Sequence, residues 1–158
     1  MKTYVLTLSK AFPATHPRKG EPTGFRDKFL AAIKRIEGGW WKLHTIRANY
    51  TLWEKRIAEI QRGEAVLSVR QWLGAPYRSK QITIATLTAE DGVGLQQLTD
   101  LDTNAYGFYP CVRVDKRNID KLLVAQNDGL SLEDWLSWFK NYDHTKPLAI
   151  IHFTNFRY

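Results

Sequence analysis

Trp40-Trp41-Lys42-Leu43-His44-Thr45-Ile46-Arg47 sets four polar side chains, Lys42, His44, Thr45 and Arg47, within six residues directly behind two tryptophans. The stretch reads as a strand from Trp41 to Arg47. Successive side chains of a strand alternate, so Thr45 and Arg47 share a face while Lys42, three residues before Thr45, points away. For Lys42 to meet Thr45 it has to stand on the loop entering the strand or follow a β-bulge, a device common beside active sites. Brought together, a lysine whose pKa is lowered by nearby Arg47 takes a proton from the Thr45 hydroxyl. The same residues also suit a half-exposed strand, with Lys42 and Arg47 solvated and Thr45 present for its β-favouring shape.

Working outward, Phe25, Phe29, Ile33 and Ile36 recur at helical spacing and predict a helix over 25–36, ended by Gly38-Gly39. After the central strand, Tyr50, Trp53, Ile57 and Ile60 predict a second helix. Asn49 caps it, or Thr51 and Glu54 do so at capping-box spacing, and Gly63 stops it. Residues 3–9 predict a first strand, and the Pro- and Gly-containing stretch from Phe12 to Gly24 an exposed irregular loop. Residues 64–72 and 80–88 read as a hairpin around Gly74-Ala75-Pro76. A short helix plus loop is expected over 91–103, a strand over 106–114 and a helix over 119–125 that stops at Asn127-Asp128-Gly129. Ser131 opens a further helix, with Asp134 at box spacing and Leu132, Trp135, Leu136 and Phe139 on one face. Residues 147–156 predict a buried apolar strand. Helices inserted between strands make this one α+β domain over residues 1–158 around a mixed sheet or small barrel.

The composition narrows the function without naming it. With 158 residues, 44% hydrophobic and 25% charged, the chain has the make-up of a globular domain. No apolar run approaches the roughly 20 residues of a membrane-spanning helix, and the start reads as a strand rather than a signal peptide. A cytoplasmic protein is expected. One cysteine, Cys111, excludes an internal disulfide and a cysteine-based zinc site. The four histidines are scattered, and no Gly-rich phosphate loop or serine-hydrolase elbow is present, so neither a metal nor a cofactor is expected. A net charge of +7 favours polyanions such as RNA, or simply solubility.

Aromatic faces on Trp40, Trp41, Trp53 and Trp72 suit base stacking, worth about 1–3 kcal/mol per base, although most of the six tryptophans are expected in the core. Arg70, Tyr77, Arg78 and Lys80 make a basic rim, or a solvated one, about the hairpin turn. His152, on an apolar strand, reads as a core histidine, and Asp128 as a turn or helix-flanking residue.

Lys42-Leu43-His44-Thr45-Ile46-Arg47 resembles the Lys-x-x-Thr-x-Arg signature of the ASCH family, a branch of the PUA-like fold. Asp128-Gly129-Leu130-Ser131-Leu132-Glu133 is similar to the family's acidic residue before a Ser/Thr-Leu helix start, and Leu148 to Phe156 to its closing strand. The resemblance implies a small mixed β-barrel with flanking helices that binds RNA or modified nucleosides. Some small ASCH proteins remove the acyl group of N4-acetylcytidine with a lysine, a threonine and a glutamate, positions that fall here on Lys42, Thr45 and Asp128. The aspartate is one methylene shorter. The first expectation is therefore an RNA- or nucleotide-binding domain with a basic cleft around the signature strand, its ligand contacts drawn from Arg47, His44, Trp41, Arg70 and Trp72. The alternative is an amidohydrolase of N4-acylated cytidine-type nucleosides, with Thr45 as nucleophile, Lys42 as base, Asp128 handling the leaving amine's proton and Arg47 at the oxyanion; a ribonuclease is a further possibility within the family.

Overall fold

Burial of the apolar run Leu148–His152 on both faces makes it the interior strand about which the larger of two sheets is laid. A computed structural model describes residues 1–104 and 110–158. Its elements are β1 (Lys2–Thr7), α1 (Phe25–Ile33), β2 (His44–Arg47), α2 (Tyr50–Gln61), β3 (Ala65–Trp72), β4 (Gln81–Leu87), β5 (Gly94–Thr99), β6 (Cys111–Val114), β7 (Arg117–Asp120), α3 (Lys121–Asn127), α4 (Leu132–Phe139) and β8 (Leu148–His152). A 3-10 turn, Ala89–Asp91, precedes β5. The fold is mixed α+β, with four helices and two sheets among the described residues. The five-stranded sheet runs β2-β8-β5-β6-β7, antiparallel throughout. The three-stranded sheet runs β1-β3-β4, with β1 parallel to β3. The apolar face of α2, carrying Trp53, Ile57 and Ile60, packs on β3 of one sheet and on β5 and β8 of the other, so this helix bridges them. No helix is long and apolar enough to cross a membrane.

Several expected boundaries move, each for a local reason. The first helix ends at Ile33, three residues early. Arg35 turns into the left-handed region (φ 53°), and the Arg35 and Ile36 N–H groups donate back to the Ala32 and Ala31 carbonyls. This paired closure is a Schellman motif, which normally uses glycine at that place. The central strand begins only at His44, so Trp41 and Lys42 stand on the loop before it. Asn49, not Thr51, caps α2, its side chain accepting from the Leu52 N–H. At α4 Ser131 accepts from the Asp134 N–H at 3.2 Å, but the Asp134 carboxylate turns to Arg18 at 2.6 Å instead of completing a box. That ion pair ties down the Phe12–Gly24 stretch, where Phe12 and His16 are buried rather than exposed. Of the tryptophans only Trp53 and Trp135 are buried.

Two strands contradict the expected elements. Where a short helix plus loop was expected over 91–103, β5 lies between β8 and β6. Its inward positions are Gly94, Gln96 and Leu98, so a glycine and a glutamine interrupt the apolar alternation. Where a helix was expected from Ile119, Arg117–Asp120 first forms a hairpin with β6 through Asp115 and Lys116, both at positive φ, and the helix starts at Lys121. The expected strand over 106–114 is observed from Cys111, and residues 105–109 lie outside the described residues.

After β8 the chain folds back as Thr154–Tyr158 across the start of β5. A Cβ added at Gly92 would fall 2.6 Å from the Asn155 backbone nitrogen, and one at Gly94 1.9 Å from the end of the Arg157 side chain. Gly92 also sits at φ 90°, which L-residues rarely adopt. The two glycines thus differ: at position 92 backbone must move, at 94 a flexible guanidinium. Gly92→Ala is expected to cost about 2–4 kcal/mol and Gly94→Ala distinctly less. Chemical denaturation of both variants checks this, and equal losses would contradict it.

Candidate functional site

Two backbone hydrogen bonds set the approach to β2. The Lys42 N–H donates to the Lys28 carbonyl of α1 (3.0 Å), and the Leu43 N–H donates to the Asn127 carbonyl at the end of α3 (2.7 Å). Lys42 is thereby placed beside the next residue of α3, Asp128, its C-cap. The Lys42 Nζ donates to Asp128 Oδ1 at 2.7 Å and to the Asp128 backbone carbonyl at 2.6 Å, and stands 4.0 Å from the centre of the Phe25 ring. Lys42 is 1% exposed and Asp128 3%. A charged pair so deeply placed loses most of its hydration, which disfavours both ionised forms.

The consequences for proton affinity follow from that burial. Desolvation lowers the Lys42 amine from 10.5 to about 8; Asp128 opposes the fall, while Arg47 and Lys28 add to it. Desolvation raises the Asp128 carboxyl, against the opposing pull of Lys42, Arg47 and the Trp135 indole. Burial thus lowers the amine and raises the carboxyl, so the two groups move toward one another in proton affinity.

Thr45 and Arg47 come to the same place. A cavity of about 10 Å³, room for about one water, has Lys42, Thr45, Arg47 and Asp128 in its wall together with Phe25 and Trp138. Thr45 is 3% exposed and lines that cavity. The Arg47 guanidinium donates to the Thr7 carbonyl at 2.6 Å, which fixes it between the cavity and a wider cleft. That cleft, about 790 Å³, shares Ser9 and Arg47 with the small cavity and is lined further by Lys10, Trp53, Trp72 and Tyr77. Trp72 and Tyr77 stand 5.3 Å apart, and Tyr77 is 89% exposed.

The remaining residues expected from the sequence separate. His44 lies on the opposite face of β2, buried, with Nδ1 3.8 Å from Asp128 Oδ1 and Nε2 2.6 Å from the Tyr158 hydroxyl. The Trp41 indole donates to the Ile36 carbonyl at 2.7 Å and lines neither cavity. Arg70 donates to Ser68 within β3 and also lines neither. His152 is the buried histidine expected, bonded to Gln96 Oε1 at 3.0 Å and lowered to about 3 by burial. Sequence reading missed Tyr158, Asn127 and Ser9. They sit on irregular chain or at a helix end, where no periodicity marks a side chain's direction. No cluster of three metal-ligating side chains occurs among the described residues. Comparison with protein-family models, curated protein sequences and solved structures finds no match.

The depressed amine has a measurable signature in stability. In the unfolded chain the Lys42 amine holds its proton to about pH 10.5; in the fold it releases it near 8. Between those values the unfolded state binds more protons, so this residue makes stability rise with pH, and the gain is absent below 8. The unfolding free energy of the wild type should therefore climb relative to that of Lys42→Met by about 2–3 kcal/mol from pH 8 to 10.5. Denaturant titrations at several pH values measure the difference, and a flat one would remove the amine from its buried, depressed state.

Proposed function

We propose that this chain is a nucleoside-directed amidohydrolase of the ASCH, PUA-like kind, acting on an N4-acylated cytidine-type base. The observation that carries the reading is the 2.7 Å contact between the Lys42 amine and the Asp128 carboxylate, in the wall of a cavity that Thr45 and Arg47 also line. The shorter aspartate reaches the lysine without the extra methylene of a glutamate, and its own backbone carbonyl takes a second proton of the same amine. The finer architecture, a small mixed barrel with flanking helices, belongs to the same proposal. It is supported by the way α2 spans both sheets.

In this reaction the Lys42 ammonium first passes a proton to Asp128, leaving a neutral amine and a carboxylic acid. The amine accepts the Thr45 hydroxyl proton as Oγ bonds to the acyl carbon. The carbonyl oxygen becomes an oxyanion beside the Arg47 guanidinium. Its collapse breaks the C–N bond, Asp128 gives its proton to the departing amine, and the acyl group is left as an ester on Thr45. A water then donates a proton to the Lys42–Asp128 pair as its oxygen bonds to the acyl carbon. The pair returns a proton to Thr45 Oγ as the ester breaks. The small cavity has the room of that water, and the nucleoside occupies the wider cleft, its base against Trp72 and Tyr77.

The second reading is RNA or nucleotide binding in the wide cleft, favoured by its aromatic pair, by Lys10 and Arg47, and by the net charge of +7. It gives no role to Lys42, which is too deeply buried to meet a phosphate.

Purified protein incubated with N4-acetylcytidine and followed by liquid chromatography should release cytidine. Lys42→Ala and Thr45→Ala should each lower kcat/KM by about 100-fold or more. The active pair carries one proton, so kcat/KM should fall as pH rises past about 8 and that proton is lost. Unchanged turnover in either folded variant sinks the assignment. Absent turnover together with salt-sensitive RNA retention transfers the cleft to the binding reading.

A further inference from the structure

Beyond Lys42, Thr45, Arg47 and Asp128, the opposite face of β2 meets a partly buried polar chain that the reaction above does not use. Asn127 Nδ2 donates to the Tyr158 hydroxyl oxygen (3.2 Å), that hydroxyl lies 2.6 Å from His44 Nε2, and His44 Nδ1 faces Asp128 Oδ1 at 3.8 Å. Tyr158 is seated by its own N–H on Gln96 Oε1 of β5 at 2.9 Å. His44 is fully buried, and its Nδ1 has no hydrogen-bond partner.

Donor accounting fixes the protons along this chain. The Tyr158 oxygen already accepts from Asn127, and its single O–H has one acceptor within reach among the described residues, the lone pair of His44 Nε2. A histidine accepting at Nε2 carries its proton on Nδ1. The reverse tautomer would leave the tyrosine O–H without an acceptor and aim the Nδ1 lone pair at a buried carboxylate. Both are costly.

We propose that His44, held in its Nδ1–H form by the Tyr158 hydroxyl, is a positioning residue of this site that directs an N–H dipole toward Asp128 Oδ1, the oxygen that also accepts from Lys42. The inference rests on the proposed function for its catalytic meaning, while its geometry stands independently of turnover. The dipole favours the carboxylate anion, so the pair gives up its last proton more readily than burial alone allows. The charged and titratable groups around it are Lys42 on the loop before β2, Arg47 of β2, Lys28 of α1, and His152 and Tyr158 at and beyond β8, with the uncharged Trp135 indole of α4 beside them. Burial and the neighbouring Lys42 and His152 keep His44 itself neutral, so it serves as an oriented dipole and not as a charge.

The test needs no substrate. Nitrogen-15 correlation spectra of the wild type should report His44 as the Nδ1–H tautomer. A carbon-13 titration of the Lys42 ε-carbon should have its midpoint near 8 in the wild type. The midpoint should move up by about half a pH unit in both Tyr158→Phe and His44→Leu, where the oriented dipole is lost. His44→Asn, whose amide NH2 takes the place of Nδ1–H, should restore the wild-type midpoint to within about 0.2 units. Either upward shift without the asparagine rescue, a wild-type Nε2–H tautomer, or an unmoved midpoint in Tyr158→Phe or His44→Leu overturns the proposal. A protein that deacylates nothing yet gives the expected titrations leaves this inference standing and removes only the reaction.

Discussion

The buried Lys42–Asp128 ion pair is the constraint to which the rest of this site conforms. Taking an ammonium and a carboxylate out of water costs several kcal/mol per ion even after relaxation. The fold answers by using every proton of the amine: one meets the carboxylate, one the Asp128 backbone carbonyl, and the remaining direction faces the Phe25 ring. An apolar pair of the same volume would be at least as stable in such a place. Retaining the charges makes sense where their proton affinities are the property in use. Burial moves one down and the other up.

Holding that pair requires elements far apart in the chain. Lys42 comes from the loop that α1 and α3 pin from two sides, Asp128 from the end of α3, and Thr45 and Arg47 from the strand next to β8. The side chains therefore stand on regular structure or immediately beside it. Rigid elements hold catalytic groups more closely than free loops do. The wider cleft is made differently, from the β3–β4 hairpin and the irregular chain after β1.

How much of this could be read beforehand depends on periodicity. The helices carrying Phe25 and Phe29, Trp53 and Ile57, and Trp135 and Phe139 are plain in the sequence because apolar residues recur on one face. Side-chain alternation alone showed that Lys42 could meet Thr45 only from the loop entering the strand or after a bulge; the strand, expected from Trp41, begins at His44 and leaves Lys42 on the loop. β5 was not legible, because its inward positions include Gly94 and Gln96, one seating the returning chain and the other bonding His152 and Tyr158. A strand whose interior is polar by design reads as loop. The pairing of His44 with Tyr158 depends on a chain reversal that leaves no local trace, so that part of the site was visible only in three dimensions.

The topology also dictates when the site can exist. Among the described residues β2 has one strand neighbour, β8, from which it is separated by about a hundred residues of chain, and Asp128 lies 86 residues beyond Lys42. Contacts of such sequence separation form late, because loop closure must precede them. During synthesis the Lys42 amine stays hydrated and ordinary while Asp128 and the elements that cover the pair are still to be made. A chain halted before residue 128 would carry Lys42, Thr45 and Arg47 and still lack the buried ion pair. The buried ion pair is in this sense an acquired property of the folded chain, withheld from shorter nascent chains.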